Sequence, residues 1–418
     1  MTDLYALGAR DLLAGYRSRD FTPVEVMESV LARIARWEPQ LCATYLLRPE
    51  RALEQARASA QRWHRGAPCG LLDGVPVTIK ENIATAGDPL PSGTAASKLP
   101  LAACDAPPAA RLAEAGAIMV TKTTMPDYGM LSSGLSSFHP LARNPWDLRK
   151  TPGGSSAGAG AAAAAAYGPL HIGTDIGGSL RLPAGWCGIF SLKPSNGRIP
   201  IDPPYTGRAA GPMTRTVDDA AWMMRVLSLP DARDSMCLPF QALAWDNLDA
   251  GVEKLRGLRI GLLMDAGCGL PVDPEIARAV QDAARLFEQA GAIVEPMAPF
   301  MTPEILDGLD HFWRMRSCVD LAALDPRDKA KVLPYIREWA DSALGMTATQ
   351  VFHAATQSHV TRVTSVNACR AFDYILSPTS PVHAAPAEDP SPTNDPLHGL
   401  EHIGFTVPYN MSEQPASS

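Results

Sequence analysis

The chain has 418 residues, of which 46% are hydrophobic and 19% charged, and 37 Lys and Arg face 44 Asp and Glu for a net charge of −7. That acidic balance excludes a generic basic nucleic-acid binder and a polybasic membrane anchor. Aromatic residues make up 6%, too few for base-stacking platforms. The eight cysteines are scattered with no CxxC pair, which argues against a disulfide framework or zinc ribbon and for a reducing compartment. The N-terminus is charged and carries no signal-peptide core, and the apolar run from Ala157 to Tyr167 is too short to span a bilayer. The expectation is a cytoplasmic protein with no membrane segment and no nucleic-acid partner.

Thr22-Pro23-Val24-Glu25 marks a helix start: Thr22 caps, Pro23 suits the first turn and Glu25 completes a capping box. Met27, Val30, Leu31, Ile34 and Trp37 then recur at helical spacing and predict one buried face. A second helix is expected over 49–65, stopping at Gly66. The run from Gly74 to Lys80 reads as a short buried strand. A helix over 109–114, a stop at Gly116 and a strand over 117–121 follow. The same order returns as a strand over 259–264, a helix over 274–289, Gly291 and a strand over 292–295, and a further strand is expected over 372–377. Helices alternating with short buried strands indicate an α/β layered fold. The segment His311–Met315 reads as an amphipathic surface helix, with a contact to the leaving group of a substrate as the sharper alternative.

Residues 151–199 are rich in Gly, Ala and Ser. A low-complexity linker is the bland reading. Against it, Leu170-His171-Ile172 is strand-like and the alanines after Gly160 favour a helix.

No GxGxxG, P-loop, HExxH or SxxK motif occurs, and the nine histidines show no metal-ligand spacing. Lysine and serine remain. Lys80 is one of only eight lysines and ends a buried-looking strand. Such a lysine either reaches the surface from the strand end or stays buried, neutral and basic near pH 7, as a general base must be. Gly153-Gly154-Ser155-Ser156 and Gly177-Gly178-Ser179 are two glycine-flanked serine sites. Glycines there let the chain turn sharply and leave consecutive N–H groups open, as an oxyanion hole requires. Each site alone also fits a plain turn with a capping serine.

Taken together, GVPVTIKEN around Lys80, NPWD at 144–147, PGGSSAG at 152–158, GTDIGGSLRLPA at 173–184, GIFSLKPSNGRIP at 188–200 and GPMTRTVDDA at 211–220 resemble the amidase signature family. The resemblance centres on residues about 70–225 and extends more weakly to SPTSP at Ser377 and NMSEQPASS at Asn410. Lys80 and Ser155 lie 75 positions apart, and Ser155 and Ser179 lie 24 apart, as in that family. The resemblance implies one α/β domain over 1–418, built on a mixed twisted sheet with helices on both faces, and no metal or organic cofactor. It implies Ser179 as nucleophile, Ser155 as a bridging serine on a cis peptide and Lys80 as base. Ile176, Gly177, Gly178 and Ser179 would supply the oxyanion hole, and Asp175 and Arg181 would brace the loop. Met130, Ser132 and Ser133 would line the acyl pocket.

Two departures stand out. Ala157 and Ala159 replace a glycine and a serine of the usual loop, which predicts a stiffer loop or an altered pocket floor. The sequence also stops at Ser418 where relatives continue, which reads as a truncated end. The resemblance implies a small-molecule amide substrate, with esters and carbamates within reach of the same chemistry, and relatives are commonly homodimers. Its alternatives are an inactive binding relative and the glutamyl-tRNA amidotransferase A-type subunit. Met125-Pro126-Asp127-Tyr128 and Ile176 depart from that subunit's usual residues.

Overall fold

The computed structural model describes residues 3–245, 248 and 251–418. In chain order the elements are α1 (Ala9–Ser18), α2 (Pro23–Leu41), β1 (Thr44–Tyr45), α3 (Pro49–His64), β2 (Pro76–Lys80), α4 (Pro107–Glu114), β3 (Ile118–Thr123), α5 (Ala157–Ala164), β4 (Leu170–Asp175), α6 (Arg181–Cys187), β5 (Phe190–Lys193), β6 (Ala209–Thr214) and α7 (Val217–Leu227). There follow β7 (Arg259–Leu262), α8 (Pro274–Gln289), β8 (Ile293–Pro296), α9 (Pro303–Ala322), α10 (Pro326–Lys329), α11 (Pro334–Asp341), α12 (Ala348–Cys369), β9 (Tyr374–Leu376), α13 (Val407–Met411) and β10 (Ala416–Ser417).

The start of α2 is the expected capping box: Thr22 Oγ1 accepts from the Glu25 N–H at 3.3 Å, and the Glu25 carboxylate accepts from the Thr22 N–H at 2.7 Å. Val26, Met27, Val30 and Ile34 form its buried face, while Leu31 and Trp37 sit half-buried at the margin. Both expected helix–turn–strand units are present, as α4–β3 and α8–β8.

The strands form a mixed seven-stranded sheet in the order β1-β3-β2-β4-β6-β5-β10 and a smaller parallel sheet in the order β8-β7-β9. In the larger sheet β2 runs parallel to both β3 and β4, and β6 turns antiparallel to β4. Every residue of β2 and β4 is buried. These strands lack apolar–polar alternation because both faces are covered, as parallel central strands require.

The Gly/Ala-rich middle is not a linker. It forms α5, β4 and α6, and seven of the eight α5 residues are buried. Small side chains let this helix press onto its neighbours: a Cβ at Gly158 would lie 2.2 Å from the Ala43 carbonyl oxygen and 2.4 Å from the Thr124 nitrogen. The helix begins at Ala157, earlier than the alanine run suggests, so both departures from the family loop, Ala157 and Ala159, are buried inside its first turn.

One hydrophobic core joins α1, α2, α3, α4 and α7 to the larger sheet. A second is built from α9, α11 and α13, with Leu309, Trp313, Ile336, Trp339, Ile403 and Val407 among its members, and it reaches Leu131 and Leu182. Among the described residues no helix is long and apolar enough to cross a membrane. All eight cysteines are free thiols.

Candidate active site

Lys80 closes β2, Asp175 closes β4, and Ser155 and Ser156 immediately precede α5. The register that pairs Ile79 with Ile172 brings the carboxyl ends of β2 and β4 together, where open α/β sheets place their ligands. Gly173 makes the junction fit: a Cβ on it would lie 2.6 Å from Ser156 Oγ.

The Lys80 ammonium is fully buried and hydrogen-bonds three hydroxyls: Ser155 Oγ at 2.8 Å, Ser156 Oγ at 3.0 Å and Thr174 Oγ1 at 3.1 Å. Thr174 Oγ1 also accepts from Asn82 Nδ2 at 3.1 Å. Burial lowers the Lys80 pKa to about 7; Asp175 and Glu81 oppose the shift, and Arg208 adds to it. Burial disfavours the charged amine because water no longer solvates it. Lys80 therefore holds a large neutral fraction at pH 7. The Gly154–Ser155 peptide is cis. Ser156 and Thr174 are partners of the amine that the sequence reading does not single out. Ser156 adjoins a candidate, but nothing in a linear motif shows that a threonine 94 positions from Lys80 meets its amine.

Ser179 lies half-buried in the turn between β4 and α6. Among the described residues its hydroxyl makes no hydrogen bond, and the partner of Ser155 Oγ is Lys80. The Ser179 carbonyl accepts from the Ser156 N–H at 3.3 Å, which ties the two serine turns together.

The turn after β4 presents N–H groups, with one correction to the expected set. The Gly178 N–H donates to Asp175 Oδ1 at 2.8 Å and is thereby committed. Among the described residues the N–H groups of Ile176, Gly177 and Ser179 have no acceptor.

Asp175 and Arg181 brace this turn. The carboxylate accepts from Arg181 Nε and Nη2, both at 3.0 Å, from the Leu180 N–H at 3.0 Å and from Asn410 Nδ2 at 2.9 Å. Burial alone would raise the Asp175 pKa. The Arg181 charge and these hydrogen bonds outweigh it and hold the carboxyl well below the usual range. Arg181 also donates to the Thr406 carbonyl at 2.8 Å and to Asn410 Oδ1 at 2.6 Å, and Thr406 Oγ1 donates to the Gly177 carbonyl at 2.6 Å. Sequence reasoning misses Thr406 and Asn410 as supports because they lie more than 200 residues from the turn.

The three expected pocket residues separate. Ser133 is fully buried, its hydroxyl accepts from the Leu135 N–H at 3.3 Å, and its backbone packs under Gly154. It supports the serine turn and is corrected from a pocket-lining residue to a structural one. Ser132 is half-buried and bonded to His402 Nε2 at 2.7 Å. With Met130 it borders a small void of about 10 Å³ next to Tyr335, Trp339 and Leu400.

The 311–315 segment is part of α9 and is not a surface face. Trp313 is buried, and its ring lies 3.6 Å from where a Cβ on Gly177 would sit. Arg314 is buried beside it and pairs with Asp310.

An α/β sheet with a buried lysine and two glycine-flanked serine turns at its carboxyl edge defines a class of serine–lysine proteins. The model of the family described as Amidase matches residues 25–418, and the chain belongs to the amidase signature family. It is 32% identical to the glutamyl-tRNA(Gln) amidotransferase A subunit of Alkaliphilus metalliredigens (strain QYMF) over 98% of this chain and 88% of that one. The match with the same subunit of Methylococcus capsulatus (strain ATCC 33009 / NCIMB 11132 / Bath) is 37% identical, over 69% of this chain and 59% of that relative. Among solved structures, a bacterial aryl acylamidase of the amidase signature enzymes superposes with a TM-score of 0.89 at 28% identity, over 99% of this chain and 89% of that one.

Proposed function

We propose that the protein hydrolyses the amide bond of a small-molecule carboxamide through an acyl-enzyme on Ser179. The observation that carries this reading is the 2.8 Å bond between a fully buried Lys80 and Ser155. Neutral Lys80 takes the Ser155 proton, and Ser155 takes that of Ser179 as Ser179 Oγ attacks the carbonyl carbon. Free N–H groups of Ile176, Gly177 and Ser179 receive the oxyanion. The relay then runs back to protonate the leaving nitrogen as the C–N bond breaks, and water releases the acyl group by the same steps. Ser155 and Ser179 need to draw together when substrate binds, as catalytic hydrogen bonds commonly tighten in the Michaelis complex. Met130 and Ser132 border the acyl side in this reading. Esters and carbamates fit the same steps.

The test is labelling with a small fluorophosphonate, mapped by peptide mass spectrometry. One adduct on Ser179 is expected, and it should vanish in Lys80→Ala. An intact protein with no adduct, or an adduct on another serine, would sink the reading.

The pH profile gives a second check. Because the Lys80 pKa is lowered to about 7 and the neutral amine is the working form, kcat/KM should rise with pH through one ionisation near 7 and then level off. Glu81→Gln removes a charge that raises this pKa, so the rise should move to lower pH. An unshifted profile in that variant would separate the ionisation from Lys80.

The second reading is a component of an amidotransferase, favoured by the 32% identity to such a subunit over nearly the whole chain. Copurification with further subunits from the source cells, and loss of free amidase activity on their removal, would decide for it.

A further inference from the structure

The cleft beside the Ser179 turn has a wall residue, Tyr205, that packs against two arginines with no acid to match them among the described residues. It has a volume of about 450 Å³ and is lined by Tyr205, Leu309, Phe312, Trp313 and Met411, among others. Trp313 connects it to the reacting centre, since the same ring packs on Gly177. Register supplies a second connection: Asp175 pairs with Ala209 across β4 and β6, so Arg208, one residue before β6, adjoins the end of β4 from which the Ser179 turn departs.

Both guanidinium groups lie against the Tyr205 ring. Arg208 Cζ is 4.8 Å from its ring centroid and Arg316 Cζ is 5.5 Å from it, and Arg316 Nη1 donates to the Tyr205 hydroxyl at 2.8 Å. Arg316 Nε is buried with no acceptor. Among the described residues neither arginine has a carboxylate within ion-pair distance, whereas Arg181 and Arg314, the buried arginines nearby, each hold an aspartate. Burial and the nearby Arg316 both lower the Arg208 pKa, the mark of a cation that lacks its counter-charge. Arginines held this way are built to receive a planar anion, because the guanidinium fork matches a carboxylate.

We propose that Arg208 and Arg316 form an anion subsite in this cleft, so that the substrate is an amide whose far end carries a carboxylate. This deepens the amide-hydrolase reading and rests on it. The tyrosine fixes the spacing of the two cations, and the apolar wall of Phe312, Trp313 and Met411 covers the stretch between the carboxylate and the scissile bond. A neutral amide of the same shape would leave both charges half-desolvated in the complex.

Calorimetric titration of Ser179→Ala, which binds without turning over, tests this with two probe pairs. Succinamate against succinamide places the carboxylate on the acyl side, and N-acetylglycine against N-acetylglycinamide places it on the amine side. In one pair the acid should bind about tenfold or more tighter than its neutral partner. Arg208→Gln and Arg316→Gln, each made in the Ser179→Ala background, should remove most of that preference. Added salt should weaken it. The ratio guards against a damaged fold, which would weaken both members of a pair, and the acid preference with both arginines in place is decisive without either variant. Equal affinities in both pairs, no measurable binding of either acid, or a preference that survives both substitutions overturns the proposal. The labelling experiment is independent of this one. A Ser179 adduct without acid preference removes the subsite alone, and acid preference without an adduct removes the hydrolase reading.

Discussion

Lys80→Ala should lower kcat/KM for a neutral aryl amide by about 10⁴-fold, a loss of the size seen when a general base or a member of a coupled catalytic set is removed. The loss should fall on kcat, with KM little changed, because the amine bonds three hydroxyls of the protein and acts on the proton. Alanine also leaves a void and takes the shared donor from Ser155, Ser156 and Thr174, so part of any loss could come from disorder. Lys80→Met separates the two effects: it fills the space without a basic nitrogen. The methionine variant should be as inactive as the alanine variant but closer to the parent in stability. Raising the pH to 9 should restore neither variant, since no titrating amine remains. Steady-state kinetics beside a denaturant titration would read both effects. More than about a tenth of the parent activity in Lys80→Met would remove Lys80 from the role of base.

Arg181→Met should destabilise the fold by about 3–5 kcal/mol, the cost of breaking a buried ion pair from one side. The variant leaves the Asp175 carboxylate buried with only the Gly178 and Leu180 N–H groups and Asn410 to hold it. It also frees the Thr406 carbonyl and Asn410 Oδ1 from their donor. Asp175→Asn in the same background removes the stranded charge, and the double variant should recover part of the loss. The pH response has a definite sign. The native Asp175 pKa is depressed by its partners, so its contribution is complete above the unfolded carboxyl pKa and fades as pH falls toward the lowered native value. Arg181→Met should therefore lose the most relative to the parent near neutrality and less in acid. Urea midpoints across pH would measure this. A loss under about 1 kcal/mol at pH 7 would show the pair to be dispensable.

Local rules made much of the fold legible. Thr22 and Glu25 announce α2 because a capping box is closed within four residues. Lys80 was legible as a buried base candidate because it ends a run of apolar β-formers, and the structure buries all of β2. The glycine–serine turns are legible through their spacing, and the family resemblance supplies the roles expected of them. Other parts depend on contacts that no window of sequence contains. Thr174 gains its meaning only when β4 lies beside β2. The commitment of the Gly178 N–H follows from where the Asp175 side chain points. Tyr205, Arg208 and Arg316 converge from two segments more than a hundred residues apart. Trp313 is ambiguous for the same reason: an apolar helix residue reads alike on a surface helix and on one that packs against the Ser179 turn.

The clamp on the Ser179 turn sets an order on biosynthesis. Asn410 bonds Asp175 across 235 residues, and the Thr406 hydroxyl bonds Gly177 across 229. Contacts so distant along the chain close late, because the loop entropy must be overcome first. While the ribosome is still making α8 or α9, β2, β4 and α5 can already be stacked, with the lysine and the serines in place. The turn that presents the N–H groups would then still lack its outer fastening. The chain should therefore acquire reactivity toward a fluorophosphonate abruptly, once Asn410 is free to dock on Asp175.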